Sequence, residues 1–260
     1  MKTLLGLLAV PAMAYAAICT WMYVQQRELV YFPQFTLTAA SDTNFALARD
    51  DAVLRGWVVN PGRPDPILYF GGNAERIEDN RDEFAQWFPG HSVYLVAYRG
   101  YGASDGTPSE PALFADALAL YDEIRTQHPG QPVTVIGRSL GSGVASYLAS
   151  RRPVAGLVLV TPFDSLSSVG QAHYRWLPVK WLSKDRYDST RHLSGYHGPL
   201  LVIRAGQDEV IPAANTQHLI DSLARPPRIV DLPHADHNSV GAESAYAKAL
   251  AEFVAARPSP

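Results

Sequence analysis

Three residues of this sequence are of the types and in the order that nucleophilic hydrolysis needs: Ser139, Asp208 and His237. A serine hydroxyl is a weak nucleophile, so it requires a base to take its proton and an acid to orient that base. Ser139 sits in V-T-V-I-G-R-S-L-G-S-G, residues 133–143, at the centre of a G-x-S-x-G pattern. The β-branched run before it reads as a strand, and the small residues after it read as a helix. Between them the glycines leave room for a strained turn that lifts the hydroxyl above the end of the strand. The N–H of Leu140 then points toward the space a developing oxyanion would occupy. Asp208 lies in A-G-Q-D-E-V-I-P, beyond the strand expected over residues 200–204, and His237 lies in P-H-A-D-H-N after the last expected strand. His234 is a rival base and Asp164 a rival acid. The second oxyanion donor is expected from the loop after an earlier strand, where Gly72 and Asn73 permit close approach, and it is assigned to the Asn73 N–H.

These residues need a scaffold, and the hydrophobic periodicity supplies one. Short apolar runs over residues 29–32, 45–49, 52–59, 67–70, 92–97, 133–137, 156–160, 200–204 and 228–232 read as strands, the second and third forming a hairpin across Asp50 and Asp51. Helices are expected from just after Ala74 to about residue 88, over 111–128, from about 142, and over 241–255. Strands alternating with helices predict an α/β fold with a mostly parallel central sheet and helices on both faces. Residues 163–198 break that rhythm. They are aromatic-rich and basic, and they read as a short cap or a packed helix.

The amino terminus is different in kind. Residues 3–26 carry no charge, and the apolar run from Leu4 to Val24 is long enough to span a hydrocarbon core, with Trp21 and Tyr23 suited to its interface. Residues 1–26 are therefore read as a membrane anchor and residues 27–260 as the catalytic domain. The competing reading is a signal peptide cleaved after Ala14 or Ala16 and a secreted product. Lys2 before the span places the domain on the outer side of the membrane, periplasmic in a bacterium.

Composition excludes several other classes. The 260-residue chain has a formal net charge of -3 and no lysine or arginine run, so no nucleic-acid footprint exists. Its one cysteine, Cys19, rules out an intramolecular disulfide and a cysteine-based metal site. His234 and His237 lack a third ligand of zinc type, so no metal and no cofactor is expected.

Taken together, L-V-Y-F-P, Y-F-G-G-N-A-E, Y-R-G-Y-G-A-S-D-G-T-P-S-E, G-R-S-L-G-S-G, T-P-F-D-S-L, G-Q-D-E-V-I-P and H-A-D-H-N resemble the membrane-anchored, depalmitoylase-like branch of the α/β-hydrolases. The resemblance implies a serine hydrolase acting on carboxylic esters or thioesters through an acyl-enzyme, with lipids or acylated proteins as substrates. Serine peptidase activity of the aminopeptidase type and a degenerate membrane-tethered binding protein are the alternatives. Two positions depart from the pattern. Gly71 stands where histidine is usual, and Ala97 stands where aspartate is usual, which leaves Arg99 without one expected partner.

Overall fold

A computed structural model of the protein describes residues 2–256, with side chains from residue 9 onward. Its centre is an eight-stranded sheet of order β1-β2-β4-β3-β5-β6-β7-β8. The strands are β1 (Phe45–Ala48), β2 (Val53–Val59), β3 (Asp65–Phe70), β4 (His91–Val96), β5 (Thr134–Arg138), β6 (Gly156–Val160), β7 (Leu200–Ala205) and β8 (Arg228–Leu232). The β1–β2 and β2–β4 pairs are antiparallel and every other pair is parallel. Parallel strands covered on both faces must be apolar on both faces. Val135, Ile136, Leu157 to Val160 and Leu201 to Ile203 accordingly have no exposed surface.

The covering helices are α1 (Lys2–Val30), α2 (Arg81–Trp87), α3 (Glu110–Gln127), α4 (Leu140–Arg151), α5 (Leu166–His173), α6 (Val179–Leu182), α7 (Ser189–Leu193), α8 (Ala213–Asp221) and α9 (Ser244–Ala255). Residues 163–198 thus hold three short helices instead of one βα unit. Helix α3 begins where Ser109 accepts a hydrogen bond from the Ala112 N–H, and α4 begins directly at Ser139. The register Phe70↔Gly137, Arg138↔Val160 and Val160↔Ile203 aligns the carboxyl ends of β3, β5, β6 and β7 on one edge. That edge is where open α/β sheets bind ligands.

Two local expectations are corrected. The strand expected over residues 29–32 is instead the end of α1 and its exit. Tyr31 continues the helical hydrogen bond to the Arg27 carbonyl at 2.8 Å, and its ring is buried among side chains of the cap. The helix expected from just after Ala74 to about residue 88 is shortened to a 3-10 turn over Ile77–Asn80 followed by α2. Ala74 is at φ 59°, outside the helical region, and the Glu75 carboxylate folds back to accept from the Gly72 N–H, so these residues form a fixed loop. Helix α8 was not singled out by periodicity at all.

The membrane span expected over residues 1–26 is not found as such: among the described residues no helix is long and apolar enough to cross a membrane. Alanines, Pro11, Thr20, two tyrosines, Gln25 and Gln26 dilute the apolar character of the described part of α1. The leucines at positions 4, 5, 7 and 8, on which that expectation also rests, lie outside the described side chains. Helix α1 packs against the cap through its carboxyl half. Gln26 donates to the Leu182 carbonyl at 3.1 Å and accepts from the Lys184 N–H at 2.6 Å, while Arg27 pairs with buried Asp185 at 3.0 Å.

The departure at Ala97 is compensated within the fold. Arg99 donates twice to Asp116 on α3, at 2.7 and 2.9 Å, and once to Asp51 at 3.0 Å. Arg49 also reaches Asp116, at 3.3 Å. Arg99 therefore has its partners, supplied by a helix and by the β1–β2 turn.

Candidate active site

Ser139 occupies the sharp turn between β5 and α4, with φ 51° and ψ −117°. A non-glycine residue there is strained by about 1–3 kcal/mol and persists only where its surroundings hold it. Here the Ser139 N–H donates to the Val160 carbonyl at 2.9 Å, and the Ser139 carbonyl accepts from the Ser142 N–H at 2.8 Å. The flanking glycines are required by contact. A Cβ on Gly137 would lie 2.3 Å from the Gly141 carbonyl oxygen, and one on Gly141 would lie 2.1 Å from the Phe70 carbonyl oxygen. Helix α4 can pass this close to β3 and β5 only without side chains at those two positions.

The structure brings Ser139, His237 and Asp208 together. His237 Nε2 lies 2.9 Å from Ser139 Oγ, and His237 Nδ1 lies 2.8 Å from Asp208 Oδ2. The second oxygen of Asp208 accepts from the Val210 and Ile211 N–H groups at 2.9 and 2.8 Å, which fixes the carboxylate plane. An ionised carboxylate is acceptor only, so Nδ1 carries the proton and Nε2 is free to take one from the serine. The side chains of His237 and Asp208 are 10% and 8% exposed, and the low local polarity strengthens both contacts. The loops that carry them are tied to each other: the Gln207 N–H donates to the Ala235 carbonyl at 2.9 Å. Asp236 braces the histidine turn by accepting from the Asn238 and Ser239 N–H groups, which hold its carboxyl below the ordinary carboxylate value.

Among the described residues neither rival hydrogen-bonds to Ser139 or His237. His234 is exposed on the turn before His237. Asp164 is buried and engaged: Asn215 Nδ2 donates to it at 2.8 Å, the Ser165 N–H at 2.6 Å, and His218 Nδ1 lies 3.0 Å away. It fixes α8 to the end of β6.

Asn73 and Leu140 also meet at this edge. Leu140 is the first residue of α4, where a backbone N–H has no partner within the helix. Among the described residues the Asn73 N–H makes no hydrogen bond, whereas the Gly72 N–H is taken by Glu75 Oε2 at 2.5 Å. Glycine at position 71 does not leave this loop slack. Tyr98 donates to the Gly71 carbonyl at 2.8 Å, and a Cβ at Gly71 would come within 2.5 Å of Ile77.

Sequence reasoning missed a set of supporting residues. Glu75 receives Tyr69 Oη at 2.6 Å and Asn80 Nδ2 at 2.8 Å, and it pairs with Arg138 at 3.2 Å. Arg138, the variable residue of G-x-S-x-G, also donates to the His237 carbonyl at 3.3 Å. Burial is the largest single influence and works against its charge, but Glu75, Tyr69 and Tyr246 together outweigh it and the guanidinium pKa is raised. One arginine thus joins the loop of Asn73, the turn of Ser139 and the loop of His237. The quoted Y-F-G-G-N-A-E contained the signal, since an acid placed just after a glycine turn is a candidate partner for its N–H groups.

A cavity of about 580 Å³ opens on Ser139. Its walls are apolar, formed by Trp21, Met22 and Leu29 of α1 on one side and by Phe163, Val169 and Val179 on the other. The volume is that of a site for a drug-sized ligand or a long acyl chain. Among the described residues no group of three or more histidine, cysteine or acidic side chains is arranged to hold a metal ion.

A family model described as serine aminopeptidase, S33, matches residues 70–185. An uncharacterized protein of Mycobacterium tuberculosis is 36% identical over 247 residues, covering 90% of this chain and 88% of that one. The lysophosphatidylserine lipase ABHD12 of Danio rerio is 33% identical over 180 residues, covering 61% of this chain and 47% of the relative. The chain therefore spans about half the length of that lipase. Among solved structures, an alpha-beta hydrolase from Vibrio vulnificus superposes with a TM-score of 0.66 at 20% identity, over 80% of this chain and 79% of that one. A Pyrococcus furiosus esterase superposes with a TM-score of 0.66 at 16% identity, over 87% and 96%. With the sheet order, the turn at Ser139 and these likenesses in agreement, the chain belongs to the α/β-hydrolase superfamily and is a hydrolytic enzyme of that fold.

Proposed function

We propose that the protein is a serine hydrolase that cleaves carboxylic esters or thioesters of long apolar acyl groups. Ser139 attacks the acyl carbon while His237, oriented by Asp208, takes its proton. The N–H groups of Asn73 and Leu140 receive the oxyanion. His237 then protonates the leaving alcohol or thiol, and water repeats the sequence on the acyl-enzyme. The observation that carries this reading is the apolar cavity opening on Ser139 Oγ beside His237. Lipid esters and the thioesters of acylated proteins, which a depalmitoylase-like hydrolase takes, present the same acyl group to it.

The description of the matching family model favours a second reading, an aminopeptidase. Such an enzyme needs a free carboxylate to hold the substrate amine. The acid on the wall of this cavity, Asp185, is buried in an ion pair with Arg27 and accepts from Tyr31 Oη at 3.1 Å. Turnover of amides but not of esters of the same acyl group would establish the peptidase. The ester hydrolase is tested by fluorophosphonate labelling and an ester panel of increasing acyl length. Labelling that is lost in Ser139→Ala, with activity rising toward long acyl chains, supports it. A Ser139→Ala protein that still labels or turns over overturns it.

Residues 1–26 hold the domain at a membrane, on its outer side, where acyl chains are concentrated. Val10, Met13, Trp21 and Val24 of α1 and Trp176 and Trp181 of the cap are exposed, Trp181 to 87%. No acidic residue occurs over positions 2–27 or 165–184, whereas Arg175, Lys180 and Lys184 are exposed there. Aromatic and basic side chains without acids suit the interface of a bilayer with anionic lipid. Mass spectrometry of a membrane fraction tests retention of the amino terminus. A free species beginning at Tyr15 or Ala17 would show a cleaved signal peptide instead. Protection of the domain from protease added to intact cells would place it in the cytoplasm.

A further inference from the structure

Helix α1 does more than line the cavity. Its last turn is fastened to the residue whose N–H faces the oxyanion. Asn73 Nδ2 donates to the Val30 carbonyl. Asn73 Oδ1 accepts from Tyr101 Oη at 2.7 Å and from the Phe32 N–H at 3.3 Å, and that N–H also reaches Tyr101 Oη at 2.9 Å. Both polar atoms of the amide are therefore spent on the exit of α1 and on Tyr101, and among the described residues the backbone N–H of the same residue makes no hydrogen bond. On the other side, α1 is fastened to the cap. Arg27 pairs with Asp185, and Tyr31 Oη lies 3.1 Å from Asp185 and 2.7 Å from Tyr187 Oη.

On the functional reading above, we propose that Asn73 is a positioning residue through which the seating of α1 sets the oxyanion loop. The Asn73 N–H is a useful donor only if it lies within hydrogen-bond reach of the position that the oxyanion takes, and a small displacement forfeits much of the effect. Within the loop that peptide is held by one long bond, from the Glu75 N–H to the Gly72 carbonyl at 3.3 Å, while the Glu75 carboxylate secures the neighbouring Gly72 N–H. The side chain of Asn73 supplies the second anchor, and it is held by the end of α1 together with Tyr101. A shift of α1 on the cap, whether caused by a long acyl chain entering beside Leu29 or by a lipid surface, is thereby transmitted to the rate of acyl transfer.

The test uses the full chain and p-nitrophenyl acetate, whose acyl group is too short to fill the wall formed by α1. Asn73→Ala and Tyr101→Phe should lower kcat by about 10- to 100-fold, less than or equal to the loss of a whole oxyanion donor. Arg27→Met, remote from the reacting atoms, should lower kcat in the same direction by a smaller factor. KM should change less than twofold in all three. Affinity for a trifluoromethyl ketone, which forms a tetrahedral oxyanion on Ser139, should fall in parallel with kcat. A merely structural role would move the unfolding midpoint without that parallel. Should Asn73→Ala fail to fold, Tyr101→Phe, which removes one hydroxyl, decides. Unchanged kcat and ketone affinity in Tyr101→Phe, in a chain whose turnover depends on Ser139, overturn this inference alone. Absence of Ser139-dependent ester turnover in the unmodified chain overturns it together with the functional reading.

Discussion

Replacing Asp208 by asparagine should leave the shape of the site intact and almost abolish turnover, for a reason visible in the hydrogen bonds. The Oδ1 position accepts from two backbone N–H groups, Val210 and Ile211. An asparagine must keep its carbonyl oxygen there, because its NH2 group would face two donors. The NH2 group is then forced toward His237 Nδ1, where Asp208 Oδ2 now lies 2.8 Å away. Nδ1 becomes an acceptor and the proton moves to Nε2, the nitrogen 2.9 Å from Ser139 Oγ. A protonated Nε2 cannot take the serine proton, so the base is lost through the wrong tautomer. The corresponding change in another serine hydrolase type lowers kcat by about 10⁴, or about 5.5 kcal/mol of transition-state stabilisation. We expect that magnitude in steady-state kcat on a chromogenic ester, with the unfolding midpoint little changed. Asp164→Asn should keep kcat within a few-fold, since Asp164 holds Asn215 and His218 and not His237. Near-normal kcat in Asp208→Asn, with the large loss at Asp164→Asn, would refute the reasoning and move the acid to the end of β6.

His237→Ala should lower kcat about as far as Ser139→Ala, because residues of one triad act as a unit, while His234→Ala should be mild; the reverse order in matched assays would mean that the wrong base has been assigned. Asp116→Ala strips a buried guanidinium of its two shortest contacts and should cost about 3–5 kcal/mol. For a domain of this size that is a fall in Tm of about 10 °C, and a change under about 2 °C would refute the network's importance. His192 lies edge-on to the rings of Phe114 and Tyr147, and burial lowers its pKa below 6.5; Asp188 opposes this, while Arg191 and Arg151 add to it. The unfolded chain then binds that proton more readily, so stability is full above pH 6.5 and falls as the pH drops toward the folded value. The Tm difference between pH 8 and pH 5.5 should shrink in His192→Phe, and an unchanged difference would refute it.

The parts legible in the sequence were those written by local chemistry. Strands β3 to β7 announced themselves as apolar runs because parallel strands bury both faces, and Ser139 was marked by the glycines that contact requires at positions 137 and 141. The order serine, acid, histidine located Asp208 and His237, and the structure brings both to Ser139. What escaped was decided by partners distant in the chain. Arg99 looked deprived by Ala97 because Asp116 and Asp51 become neighbours only once α3 and the β1–β2 turn are placed. Residues 29–32 looked like a strand because a short apolar run carries no period that separates strand from helix end. Residues 75 and 76 looked helical because propensity does not register a carboxylate folding back on a glycine N–H. The uncharged amino-terminal stretch reads as a span by length and lack of charge, and the leucines at positions 4, 5, 7 and 8 on which that reading rests lie outside the described side chains.

The joint between α1 and the cap also orders events in time. The contacts of Gln26, Arg27 and Tyr31 close sequence separations of 154 to 158 residues. Long-range closures of this kind come late, after local helices and neighbouring strands have formed. During synthesis the apolar inner face of α1 is therefore made long before its cover, and until residues 182–187 arrive it stands exposed to chaperones, to lipid or to another chain. Hydrolytic competence is in this sense the final step of maturation. A nascent chain can possess an ordered Ser139 turn and still lack one wall of the chamber that would hold an acyl group.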